Sequence, residues 1–344
     1  MSPRGSLMKI TSVLSQGTAQ STNAVILAQS AEIQNRSTGV TATILDSRAG
    51  HENDGGFGWN ALSTRIVDAL QKLDARWFQI LFLASFLIFG ALARDFALTW
   101  QQVALTFTSA LATQAAWQWG LKLPNRARWG GYLSAIVSSF GISILVRADS
   151  LWVHPLLAAI AMSSKYLLRA GPPSCRSHIA NPANLAAFAA WFWLPGAWLS
   201  PGQWGSESLA ALWFLALGGL VTQRIQRWDI SLTFLAAWAA LLAVRVIWLD
   251  YSAPVAWAMW AQQISNGATL LFAFFMISDP MTTPQRRGAR IAFAIAVAAV
   301  AFVWQFVFYK PHGLIVVLFA ASALVPFINW ALPKQRFEWQ KAAA

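Results

Sequence analysis

The stretch Ile230-Ser231-Leu232-Thr233-Phe234-Leu235-Ala236-Ala237-Trp238-Ala239-Ala240-Leu241-Leu242-Ala243-Val244-Arg245-Val246-Ile247-Trp248 carries a single charge, Arg245. About twenty apolar residues make a helix as long as the hydrocarbon core of a bilayer is thick, so this run predicts a transmembrane helix. Comparable runs lie on both sides of it. The predicted spans are 77–93, 99–119, 129–146, 151–168, 183–199, 206–223, 230–248, 253–277, 289–309 and 313–332. The expected class is an all-α integral membrane protein of about ten transmembrane helices. Gly and Pro inside several spans are tolerated where neighbouring helices satisfy the freed backbone groups.

Composition agrees. Of the 344 residues, 57% are hydrophobic and 11% charged, against about 25% charged in soluble domains. Mean hydropathy is +0.48, although the first fifth of the chain is polar. The net charge of +12 does not point to nucleic acid, because the basic residues stand singly or in twos and threes between apolar runs and form no stripe. Cys175 is the only cysteine. That excludes an internal disulfide, a cysteine zinc cluster, a self-contained iron–sulfur cluster and a C-x-x-C-H haem site. No metal site is predicted.

The domain reading is a disordered polar tail at 1–60, an amphipathic surface helix at 61–76, a membrane domain at 77–335 and a cytoplasmic tail at 336–344. In the first segment Ala24–Ala28 is too short for a signal-peptide core. In the second, Leu62, Ile66, Leu70 and Leu73 recur at helical spacing, as they also would in a plain helical lead-in. Loops after even-numbered spans carry Lys122, Arg126 and Arg128, then Arg169 and Arg176, then Arg224 and Arg227, then Arg286, Arg287 and Arg290. The opposite loops carry only Arg94, Arg147, Arg245 and Lys310. By the positive-inside rule both termini are cytoplasmic, in a multi-pass protein of the bacterial inner membrane. Many of the 20 Trp residues sit near span ends, as interfacial belts require.

Ten spans divide into two fives. His178-Ile179-Ala180-Asn181-Pro182-Ala183-Asn184 follows the fourth, and Ile277-Ser278-Asp279-Pro280-Met281-Thr282-Thr283-Pro284 follows the eighth. Each joins a capping Asn or Asp to a proline. Proline-broken helices at matching places in two repeats often line a binding site; two ordinary loop caps would look the same.

These motifs also carry a resemblance. Phe272-Ala273-Phe274-Phe275-Met276-Ile277-Ser278-Asp279-Pro280, followed by Thr282-Thr283-Pro284, resembles the signature of the RnfD/NqrB family, the membrane subunits of ion-translocating electron-transport complexes. His178 to Asn184 resembles its first asparagine–proline motif. Arg147 to Pro155 and Leu324-Val325-Pro326 look closest to the enediyne-biosynthesis (UnbU-like) branch. The likeness covers roughly residues 75–335. It implies ten helices in two five-helix repeats, a flavin (FMN or riboflavin) held within the bilayer for electron transfer, and redox partner subunits. In the electron-transport members a threonine in a Ser/Thr-Gly-Ala-Thr motif holds FMN through a phosphoester. The matching run here is Ser265-Asn266-Gly267-Ala268-Thr269. Asn266 stands where the family has Ser or Thr, and Gln263 where the attachment motif prefers Asp. Both departures weigh against a covalent link.

Read physically, Gln262, Gln263, Ser265, Asn266 and Thr269 are polar groups inside one apolar span, so they are expected to face the bundle interior. Gln262, Ser265, Asn266 and Thr269 recur at three and four, which predicts one helix face. Gly267 and Ala268 would admit a neighbouring helix or a flat ring. The set suits an isoalloxazine edge, or interhelical hydrogen bonding without a ligand. Asp279 is expected to cap, with Arg286, Arg287 and Arg290 near enough in sequence to neutralise it; coupling-ion or cofactor contact is the alternative. His154 reads as a hydrogen-bonded core residue. The candidate cofactor-binding residues are thus Gln262, Gln263, Ser265, Asn266, Gly267, Ala268, Thr269, Asn181, Asn184 and Asp279. Two function classes stand: a flavin-binding electron-transport subunit, and a permease-like or secondary-metabolite biosynthesis membrane protein without redox activity.

Overall fold

The computed structural model describes residues 74–93, 98–171, 177–200, 208–334 and 337. The predicted tail 1–60, nearly all of the predicted surface helix and the last residues lie outside the described residues. Twelve α-helices are described: α1 (Ala75–Ala93), α2 (Trp100–Gly120), α3 (Asn125–Leu145), α4 (Val153–Leu167), α5 (Pro182–Trp193), α6 (Ser208–Arg224), α7 (Trp228–Trp248), α8 (Ala253–Ser265), α9 (Gly267–Leu271), α10 (Arg287–Phe302), α11 (Gly313–Ser322) and α12 (Val325–Ala331). Short π-helical turns follow α9 (Phe272–Met276) and α10 (Val303–Val307). Two small antiparallel pairs complete the fold. β1 (Val146–Ala148) pairs with β4 (Ala197–Leu199), and β2 (Arg169–Ala170) with β3 (Ser177–His178).

Three stretches are long and apolar enough to cross a membrane alone: Ala75–Leu92, Trp228–Trp248 and Arg287–Val307. A fourth candidate combines α11 and α12, bent by 44°. The molecule is therefore a mostly helical membrane protein.

α2 shows what solvent the fold is built for. Its buried residues are Gln102, Thr106, Ala110, Gln114 and Gln118, every fourth position, while Trp100, Leu105 and Trp119 are exposed. A helix that hides amides and hydroxyls and displays Leu and Trp is inverted for water and correct for lipid. Thr99 and Gln102 start it with a reciprocal capping box.

Three predicted spans are interrupted. The run 183–199 stops being helical at Trp193. Pro195 disfavours helical geometry at Leu194, whose ψ is 108°, and the chain reverses through Gly196 (φ +73°) into β4. Twelve helical residues rise only about 18 Å, so α5 does not span a bilayer alone. The run 253–277 breaks at Asn266 (ψ 127°). The run 313–332 bends between Ser322 and Val325, just before Pro326. Aromatic packing holds the broken pieces. Phe82 of α1 stacks on Phe275 at 4.4 Å between centroids, and Phe86 meets Phe214 edge-on at 4.3 Å. Phe234 packs between Phe272 and Trp238.

Candidate functional site

The two proline breaks meet. At the first, Asn181 caps α5: its Oδ1 accepts from the Ala183 and Asn184 amides at 3.0 and 3.2 Å. Pro182 occupies the first turn, where its missing N–H leaves no donor unsatisfied. At the second, Asp279 Oδ1 accepts from Met281 N at 3.0 Å, and Oδ2 accepts from Thr282 Oγ1 at 3.1 Å. The remaining function of each side chain joins the two, with Asn181 Nδ2 donating to Asp279 Oδ2 at 3.0 Å.

Beside this junction lies a cavity of about 640 Å³. Asn181, Pro182, Ser278, Asp279 and Pro280 form one wall. The opposite wall comes from α2, α3 and α4. There Lys165 Nζ donates to Gln114 Oε1 (3.0 Å) and Ser134 Oγ (3.2 Å), and Gln114 Nε2 donates to Tyr166 OH (2.5 Å). Trp117 stacks on Tyr166 with centroids 5.3 Å apart. Gly131 permits this arrangement, because a Cβ there would run into the amides of Gln114 and Gln118. Leu83, Val137, Leu271 and Phe275 supply apolar lining, and Arg76, Arg169 and His178 add polar rim. Arg76 is itself held by Asp74 (2.8 Å) and by the Gly130 carbonyl.

The arginines expected to neutralise Asp279 do something else. Arg290 forms a buried pair with Asp229 (2.5 Å), and Arg287 approaches the same carboxylate at 3.8 Å. Arg286 stands at the N-cap of α10. Arg227 braces the second break from below, donating to the Pro284 carbonyl (2.9 Å) and Gln285 Oε1 (2.8 Å). Burial, reinforced by Arg290, pulls its guanidinium down to about 10, still fully charged at neutral pH. Distance in sequence misled here because the second break folds back toward α7, where Asp229 is the nearer acid.

The remaining predicted residues are placed elsewhere. Asn184 is buried on α5 and faces α11, its oxygen toward the Phe319 N–H (3.1 Å) and its nitrogen toward the Ile315 carbonyl (3.3 Å), the orientation that pairs donor with acceptor. The 262–269 set does not share one helix face, because the break at Asn266 separates α8 from α9. Gln262 is exposed. Ser265 Oγ donates to the Ala261 carbonyl (2.8 Å), Asn266 Oδ1 accepts from Ala268 N (2.8 Å), and Thr269 Oγ1 donates to the Gln263 carbonyl (3.1 Å). These groups close the helix break locally. None of Gln262, Gln263, Ser265, Asn266, Gly267, Ala268 or Thr269 lines the 640 Å³ cavity. His154 is a core residue, its Nδ1 3.2 Å from Thr106 Oγ1.

Sequence reasoning missed Gln114, Gln118, Ser134 and Tyr166. The signal that could have found the first two is the polar residue at every fourth position of α2.

Fold and site together define a helical membrane protein with a polar, partly enclosed cavity at the meeting of two broken helices. Residues 157–338, just over half the chain, match the NQR2, RnfD, RnfE family, and the chain belongs to that family. It is similar to a subunit of the ion-translocating oxidoreductase complex of Shigella boydii serotype 18 (strain CDC 3083-94 / BS512), with 32% identity over 208 residues, 58% of this chain and 53% of that one. The subunit of the same name in Escherichia coli (strain K12 / DH10B) is 32% identical over 149 residues, 43% of this chain and 37% of that one. The chain thus spans about half or less of the length of these relatives.

Proposed function

We propose that this protein is a membrane electron-transport subunit of the ion-translocating oxidoreductase type, holding a flavin, FMN or riboflavin, in the cavity beside Asn181 and Asp279. One observation carries this reading: the Asn181–Asp279 hydrogen bond at 3.0 Å brings the two family motifs together on the wall of a cavity of about 640 Å³, ample for a three-ring heterocycle. Its lining fits such a ring. Lys165, Gln114, Tyr166 and Asn181 offer hydrogen-bonding groups, Leu83, Val137, Leu271 and Phe275 offer apolar faces, and Gly131 keeps the space open. A flavin held there would accept electrons from one partner and pass them to another. The protein's own groups would orient the ring and keep bulk water from it. Thr269 is not required as an attachment point, since its hydroxyl is engaged with Gln263.

The same reading takes the helical segments as ten spans in two five-helix repeats, each with one proline break. Both termini are cytoplasmic in the bacterial inner membrane, redox partner subunits complete the electron path, and lipid surrounds the bundle. The experiment is an absorbance spectrum of the detergent-purified chain with intact mass. Flavin absorbance with an unmodified polypeptide mass supports the proposal; a colourless folded preparation rejects it.

A permease-like or enediyne-type biosynthetic role is the second reading. It is favoured by the meeting of two broken helices at a polar cavity, also a transporter plan. Substrate flux in vesicles without a chromophore would select it.

A further inference from the structure

The titratable groups lining the cavity are Arg76, Lys165, Tyr166, Arg169, His178 and Asp279. Asp279 is bonded to Asn181, Thr282 and the Met281 amide, and Arg76 to Asp74. Lys165 differs from both. Its two hydrogen-bond partners, Gln114 Oε1 and Ser134 Oγ, are neutral. An ammonium has three N–H donors, so one remains for something else. Three helices converge to hold this group, because Gln114 belongs to α2, Ser134 to α3 and Lys165 to α4. Tyr166, stacked on Trp117, fixes Gln114 in turn. A cation kept this far from water among neutral partners is disfavoured unless a counter-charge or electron-rich group visits it.

We propose that Lys165 is a ligand-binding residue whose ammonium meets the electron-rich edge of a ring in the cavity and offsets the negative charge that reduction places there. This inference rests on the flavin reading above. Adding two electrons and one proton to a neutral ring leaves one negative charge. The electrons come from a partner redox subunit in the membrane, and from dithionite in the test. Lys165 gives up no proton; it contributes a charge-assisted hydrogen bond. Gln114 and Ser134 act through Lys165 and are positioning residues.

The test is spectroelectrochemical titration of riboflavin bound to the purified full chain, as wild type, Lys165→Met and Lys165→Arg. Methionine should weaken binding of the reduced form at least tenfold more than that of the oxidised form, which lowers the two-electron midpoint by about 30 mV. Arginine should restore most of the loss. An unchanged midpoint in Lys165→Met with riboflavin still bound overturns the inference while leaving the flavin reading intact. If the methionine variant does not fold, the wild type decides: a bound midpoint at or above that of free riboflavin supports the inference, and one below it overturns the inference. A wild type that binds no riboflavin removes the flavin reading and this inference with it, and the absence of flavin absorbance identifies that failure separately.

Discussion

Asn181 and Asp279, 98 positions apart, share a hydrogen bond of 3.0 Å while each also caps its own segment of chain. The side chains that order each proline break are the ones that fasten the breaks together. Local folding and tertiary closure therefore depend on the same four heavy atoms, the amide O and N of one residue and the two carboxylate oxygens of the other.

Replacing Asp279 with Asn should weaken assembly first. The new amide can keep one acceptor, but its NH₂ would face Asn181 Nδ2 or the Thr282 hydroxyl. A buried unsatisfied donor costs about 1–3 kcal/mol. A lower thermal midpoint and reduced yield of folded protein in detergent are expected. Normal yield with lost turnover would assign the carboxylate a chemical role instead.

The Asp229–Arg290 pair offers a sharper contrast. Both side chains are nearly enclosed, and removing one partner leaves an uncompensated charge, a loss of about 3–5 kcal/mol. Asp229→Asn should therefore be strongly destabilising. The double change Asp229→Leu with Arg290→Met should recover a large part of that loss, read by thermal unfolding of the wild type and the variants.

Two adjacent glycines should behave oppositely. A Cβ on Gly218 would lie 2.6–3.0 Å from Phe274 side-chain atoms, whereas one on Gly219 would meet nothing within 4 Å. Gly218→Ala should lose about 1–3 kcal/mol through overpacking. Gly219→Ala should be neutral or slightly stabilising through helix propensity. Thermal midpoints of the two variants check the pair.

Thr269→Val removes the bond to the Gln263 carbonyl, worth about 1 kcal/mol, and should leave bound flavin in place. Denaturing gels of wild type and variant should both lack flavin fluorescence. A fluorescent wild-type band that disappears in Thr269→Val would establish attachment at this hydroxyl.

Much of the fold was readable from residues alone, for a physical reason. Apolar length reports helices in lipid directly, so the runs 77–93, 99–119 and 230–248 reappear as α1, α2 and α7 within two residues at either end. The Asn–Pro and Asp–Pro motifs announced their breaks because a capping oxygen and a missing N–H act locally. The break at Asn266 was less visible: it lacks a proline, and its polar neighbours fit a continuous face equally well. The Arg290–Asp229 pair and the Lys165–Gln114–Tyr166 wall depend on which helices lie side by side, which no local rule encodes.

The π turn at Phe272–Met276, where the Ile277 amide reaches back five residues to the Phe272 carbonyl at 3.0 Å, has a consequence for tolerance to deletion. Such a turn accommodates one residue more than an α-helix of similar rise. Excising a single residue there would let the segment wind regularly and swing everything beyond it by about 100° around the axis. Asp279 would then be turned away from Asn181, so this stretch should accept substitutions far more readily than any change in its length.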